Sequence, residues 1–183
     1  MNIGNAINKG IGSIRFHFHT VMRRRKIHSR GIKQYLGKGA HLRASENGKI
    51  FLGNKTYISD RSSIGAHIEG TIRIGDNNFF NSNVNIVCFK GITIGDNNLF
   101  AQNIVVIDQI HNYKNKEMPI YKQGYIANRV VIGSDCWFCA NVVICPGTEI
   151  GNHIIVSANS VVKGKLDKPG LYAGNPATLV KEL

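Results

Sequence analysis

The chain has 183 residues, 43% of them hydrophobic, with four cysteines and a formal net charge of +12. That length suits one domain with a sizeable core. No stretch approaches eighteen consecutive apolar residues, so a helix crossing a bilayer is not expected.

The charge is concentrated at the start. Residues 1–45 hold ten Lys/Arg and no acid, including Arg23-Arg24-Arg25-Lys26, whereas residues 46–183 hold thirteen basic and eleven acidic residues. This block interleaves with Ile14, Phe16, Phe18, Val21 and Met22, and residues 5–36 are a candidate for helix. Nucleic-acid recognition would call for charge spread over a shaped surface with base-reading groups, so no nucleic-acid partner is expected. Residues 1–30 suit a peripheral contact with an anionic membrane face; a solvated arm packed on a neighbouring subunit is the alternative. The N-terminus lacks the apolar core and cleavage site of a secretory leader, so a cytoplasmic location is expected. Cys88, Cys136, Cys139 and Cys145 are accordingly read as reduced thiols.

Beyond residue 46 an aliphatic or aromatic residue returns every sixth position. The beat runs Leu52, Ile58, Ile64, then Ile74, Phe80, Ile86, and after two extra residues Ile94, Phe100, Val106. A period of six fits neither an amphipathic helix nor one long strand. It fits short strands alternating with corners, and Gly75-Asp76-Asn77 and Gly95-Asp96-Asn97 supply residues that tolerate positive φ. Three corners close a triangular coil of about eighteen residues, a parallel β-helix.

The beat stops at Val106 and resumes at Ile132. The gap carries one histidine, His111, near its start. From there Ile132, Phe138, Ile144, Ile150, Val156 and Val162 follow without a slip. Small residues two places earlier, Cys136 and Ser160, are expected to point inward. The Cys136/Cys139 pair then reflects packing and not a zinc or redox site. In "LYAGNPATLVKEL", residues 171–183, Asn175 reads as an N-cap and Pro176 as the first residue of a helix closing the coil. The expected organisation is a basic, partly helical segment 1–45, a β-helix 46–170 with a protruding loop 107–130, and a helical cap 171–183.

The hexads, the run "VVIGSDCWFCANVVICPGTEIG", "SANSVV" and the closing "AGNPA" resemble the hexapeptide-repeat acyltransferases, especially the galactoside, maltose and capsular-polysaccharide O-acetyltransferases. The resemblance covers residues 50–183. It implies an all-β, left-handed parallel β-helix with short helical terminal segments, assembled as a homotrimer with acetyl-CoA between neighbouring coils. It also implies an enzyme that acetylates a hydroxyl of a sugar or polysaccharide precursor by direct transfer, with His111 as general base.

Carried over by the same resemblance, Ala140, Ala158, Lys163, Gly164, Thr178 and Lys181 contact the cofactor, and Asn83, with Asn81 beside it, meets the acceptor. Lys165 and Lys168 join the cations facing the cofactor phosphates. Amino sugars, serine and antibiotics are alternative acceptors, and a non-catalytic scaffold is a further alternative. A zinc-enzyme reading would need three converging imidazoles. His41, His67, His111 and His153 lack regular coil spacing, so no metal is expected.

Overall fold

The computed structural model describes residues 3–21, 26–31 and 33–183. Arg23, Arg24 and Arg25 of the basic run lie outside them. From Ile27 the chain winds into a left-handed parallel β-helix of about six turns.

The first face stacks Ile27–Ser29, Lys49–Leu52, Thr71–Ile74, Gly91–Ile94, Val130–Ile132, Glu149–Ile150 and Lys165–Leu166. The second stacks Tyr35–Leu36, Tyr57–Ile58, Phe79–Phe80, Leu99–Phe100, Trp137–Phe138, Ile154–Val156 and Gly170–Gly174. The third stacks His41–Ala44, Ser63–Ala66, Asn85–Cys88, Val105–Ile107, Val143–Ile144 and Val161–Val162.

The hexad residues are the register of this stack. Ile94 pairs with Ile74 and Ile132, Phe100 with Phe80 and Phe138, and Val106 with Ile86 and Ile144. Each is buried, and the Phe80, Phe100 and Phe138 rings stack at centroid distances of 4.7 and 4.8 Å. Turns shorten along the axis, from 22 residues between Ile58 and Phe80 to 20 between Phe80 and Phe100 and 18 between Phe138 and Val156. Longer corners absorb the difference without disturbing the columns.

Two ladders hold the corners. Inside, Asn78 donates to the Gly95 carbonyl at 2.8 Å and accepts from the Asn98 amide at 3.1 Å. Asn98 repeats the pattern with Gly133 and Cys136. Buried carboxamides thus pair with backbone groups that would otherwise be stranded in an apolar interior. Cys136 is buried as expected, its thiol against the Gly151 carbonyl at 3.2 Å, and so is Ser160.

Outside, between the second and third faces, Asn83, Asn103, Asn141 and Asn159 all sit at φ of 60–62°. Their carboxamides form a continuous chain at 3.0, 3.1 and 2.9 Å. Asparagine adopts this left-handed conformation more readily than other non-glycine residues.

Both ends differ from the sequence expectation. The coil begins at Ile27 and not near residue 46, because the strands Ile27–Ser29, Tyr35–Leu36 and His41–Ala44 already pair with the next turn. Among the described residues the N-terminal helix spans Ile3–Val21, and Ile27–Ser29 and Tyr35–Leu36 are strands.

The C-terminal cap is no helix. Gly170–Gly174 turns through a cis Asn175–Pro176 bond, with Gly174 at φ 106°, and Ala177–Glu182 returns antiparallel along the edge of the second face. That strand satisfies a row of backbone groups that a helix there would have left open.

Candidate functional site

The interruption in the repeat has a fixed base. Just after Val105–Ile107, Asp108 is fully buried. Its carboxylate accepts the backbone N–H groups of Phe89, Lys90 and Gly91 at 2.8, 2.8 and 2.7 Å and lies 3.3 Å from the Cys88 thiol. Three successive amides converging on one anion tie the exit of the loop to the corner one turn before it. The Asp108 carbonyl accepts from Asn128 at 2.8 Å, and the Asn128 carbonyl accepts from Gly147 at 3.2 Å, so the return is tied to the turn after.

Replacing Asp108 by alanine leaves three backbone N–H groups without their acceptor, that of Gly91 buried and those of Phe89 and Lys90 partly so. We expect a loss of about 3 kcal/mol or more in chemical denaturation, with faster amide exchange across residues 109–127. Unfolding and exchange indistinguishable from the parent protein would remove this residue as the anchor.

From this base Gln109–His111 runs antiparallel to Tyr125–Ala127, and Asn112 donates to the Gly124 carbonyl at 2.9 Å. Farther out, Gln123 bonds Asn115 through both ends of its carboxamide, at 2.9 and 2.7 Å, and reaches the Met118 carbonyl at 2.7 Å. The loop is thereby a braced arm.

His111 is exposed on it, its ring tilted against Tyr125 at 4.5 Å. Tyr125 meets the edge of Phe89 at 4.9 Å, and Phe89 meets His67 at 5.9 Å. The row ends where the Ser45 hydroxyl lies 2.8 Å from His67 Nδ1. An imidazole on a braced support with open space around it can exchange a proton with a bound molecule.

The remaining candidates fall in three places. Asn83, Ala140 and Ala158 share the corner carrying the outer asparagine ladder; Asn159 donates to the Ala140 carbonyl at 3.0 Å, one turn away. Asn83 is bonded at both ends, by Arg61 at 3.1 Å and to Asn103 at 3.0 Å, so one lone pair and one N–H remain for a ligand. Lys163 and Gly164 lie on the other edge of the third face, the edge that bears the His111 arm; Gly164 has φ 75° and open space where a Cβ would stand. Thr178 and Lys181 are exposed on the C-terminal strand beside the second face.

Lys165 pairs with Asp167 at 3.8 Å and Lys168 with Glu182 at 3.6 Å. These are solvent-exposed pairs of little net stability.

One chain does not bring these groups together. Ala140 and Asn141 form the turn that enters the third face, Val143–Ile144 is the strand that crosses it, and Lys163 and the His111 arm lie at the edge beyond. The small-residue corner and the imidazole therefore occupy opposite edges of the same face.

Burial raises Cys88, Cys136, Cys139 and Cys145 above the ordinary thiol range, with the Asp108 carboxylate adding to the effect at Cys88. His41, His67 and His153 are separately engaged by Gly39, Ser45 and Asp135. Among the described residues no group of three His, Cys, Asp or Glu side chains gathers as a metal site.

Sequence reasoning missed Tyr125 and Phe89, which support the imidazole. Neither carries a repeat signal, and Tyr125 reaches His111 only through the antiparallel pairing.

A three-faced left-handed coil in hexad register is the architecture of the hexapeptide-repeat proteins. Residues 129–164 match bacterial transferase hexapeptide (six repeats), so the chain carries that family's repeat. A probable acetyltransferase of Mycobacterium tuberculosis is 33% identical over 148 residues, 80% of this chain and 49% of that protein. WbbJ of Escherichia coli, named as an O-acetyl transferase of lipopolysaccharide biosynthesis, is 33% identical over 120 residues, 62% of this chain and 61% of its own. The chain thus spans about half to three fifths of the length of these curated relatives.

Among solved structures, a hexapeptide-repeat acetyltransferase of Vibrio cholerae complexed with acetyl-CoA superposes with a TM-score of 0.64 at 25% identity, covering 96% of this chain and 85% of that one. AntD, an N-acyltransferase of Bacillus cereus in complex with an amino-sugar nucleotide and coenzyme A, shares the fold with a TM-score of 0.75 at 22% identity, covering 88% and 87%.

Proposed function

We propose that the chain is an acetyl-CoA-dependent O-acetyltransferase acting on a hydroxyl of a sugar or polysaccharide precursor, with His111 as general base. The observation that carries this reading is the single break in the repeat, where a buried anchor and a braced arm hold an exposed imidazole clear of the coil. Support for acetyl transfer, and for a carbohydrate acceptor, comes from the relatives named above. His111 takes the proton of the acceptor hydroxyl as its oxygen attacks the thioester carbonyl. The tetrahedral intermediate collapses, the carbon–sulfur bond breaks, and the imidazolium returns the proton to the departing thiolate. Coenzyme A already presents an activated acyl group, so no acyl-enzyme is needed.

The working unit is proposed to be a homotrimer. The imidazole edge of one copy faces the Asn83, Ala140 and Ala158 corner of the next, where small side chains leave room for the pantetheine arm. Lys163, Gly164, Thr178 and Lys181 then lie toward the cofactor's phosphates and nucleotide, and Asn83 offers its free lone pair and N–H to the acceptor. The outer row of the second face favours assembly. Below Tyr35, which Gly12 of the N-terminal helix covers, Tyr57, Phe79, Leu99, Trp137 and Ile155 follow one another down it, whereas the first face mixes Phe51 and Val131 with Arg73, Thr93 and Glu149. A continuous apolar row of that kind is normally covered.

The test is release of free coenzyme A thiol from acetyl-CoA against a panel of nucleotide sugars and lipid-linked glycans, with amino sugars, serine and aminoglycosides alongside. We expect acceptor-dependent release with a hydroxyl sugar, and a product acetyl group removed by mild base, as an ester is. A base-stable amide product would replace the hydroxyl with an amine. No acceptor-dependent release with any member, in a protein that fails to bind acetyl-CoA, would end the proposal.

A further inference from the structure

The helix Ile3–Val21 has two working sides. On one, Gly12 packs so closely on Tyr35 that a Cβ there would stand 2.2 Å from the ring, and Phe16 is 5% exposed. Ser13 donates to the Gln34 carbonyl at 2.9 Å and the Arg15 guanidinium to the Leu36 carbonyl at 3.0 Å. The helix thereby covers the open edge of the first turn of coil, whose carbonyls lack a preceding strand.

On the other side, Ile11, Ile14 and Phe18 are 48%, 71% and 66% exposed. At 3.6 residues per turn these three positions lie about 140–160° around the helix from Phe16. They form an apolar stripe turned away from the coil.

We propose that this stripe lies in the surface of an anionic lipid bilayer, holding the coil end-on to the membrane. Charge complementarity selects the occupant. The stripe belongs to a 45-residue segment with ten basic residues and no acidic one. A second copy laid on the stripe would bring two such segments together and be repelled. An anionic headgroup layer attracts the lysines and arginines while the isoleucines and phenylalanine enter the acyl boundary. Among the described residues no helix is long and apolar enough to cross a membrane, so the contact is in-plane. Nothing in this inference depends on the chemistry proposed above.

The experiment is co-sedimentation of the full chain with vesicles of phosphatidylglycerol and phosphatidylcholine, and with phosphatidylcholine alone. The parent protein is expected to bind the anionic vesicles and to lose binding as salt rises. The double substitution Ile14→Glu and Phe18→Glu is expected to weaken binding on the order of a hundredfold. Ile14→Ser with Phe18→Ser, which leaves the charge unchanged, should still weaken it about tenfold. Both positions are exposed, so circular dichroism and thermal unfolding should match the parent.

Four results would overturn the proposal. One is parent protein that ignores anionic vesicles, and a second is equal binding to pure phosphatidylcholine. Substituted proteins that bind as the parent does would do the same, as would a change in sedimentation mass on substitution without a change in vesicle binding. The last would assign the stripe to a second copy.

Discussion

His111→Ala is expected to lower turnover of acetyl-CoA on the order of 10²–10⁴-fold. The cost falls on the chemical step, because the ring touches the rest of the molecule only lightly. It is exposed, it leans on Tyr125 at 4.5 Å, and its backbone pairing with Tyr125 does not depend on the side chain. The substituted protein should therefore unfold with the parent and bind acetyl-CoA with similar affinity. Steady-state kinetics should show the loss in kcat with little change in KM for acetyl-CoA. A small imidazole added in solution should restore part of the rate, since it can fill the vacated space and take the same proton. Near-normal turnover would show that some other group accepts the proton. A large rise in KM with kcat preserved would make His111 a binding residue.

Most of the coil was legible because the stacked hexad columns are apolar in nearly every turn whatever its length. The beat of Ile74, Phe80, Ile86 and of Ile94, Phe100, Val106 survives turns that shrink from 22 to 18 residues. The first turn escaped the count for a specific reason. Ser29 occupies the column of Leu52 and Ile74, so no hydrophobic residue marks that corner.

The C-terminal misreading came from one dipeptide. Asn175-Pro176 is compatible with the start of a helix and with a tight turn. What decides between them is the unpaired edge of Gly170–Gly174, which only the assembled sheet presents. Handedness of the coil is likewise written in no spacing and came from the resemblance alone.

For the site, the break in periodicity singled out His111. The anchoring role of Asp108 depends on three amides eighteen or so residues earlier in the chain, brought beneath it by one turn of winding. The position of Asn83 and Ala158 on one corner, that of the outer asparagine ladder and a full face away from the imidazole, also emerges only from the coil.

That separation leads to the second large effect. If each site joins His111 of one copy to the small-residue corner of its neighbour, two inactive proteins can repair each other. His111→Ala leaves the corner intact. Ala158→Trp fills the corner at an exposed position and leaves the imidazole intact. Each alone should be nearly inactive. Co-expressed in equal amounts and assembled at random, about a quarter of the sites would contain both intact halves.

The measurement that bears most directly on the shared-site account is thus the acetyl-CoA turnover of the co-assembled pair against that of each parent variant and the unsubstituted protein. Recovery to about a quarter of the unsubstituted rate is the predicted result. Mixed oligomers of confirmed composition that stay as inactive as their parents would contradict it, and would place the imidazole and the cofactor corner at work within a single chain.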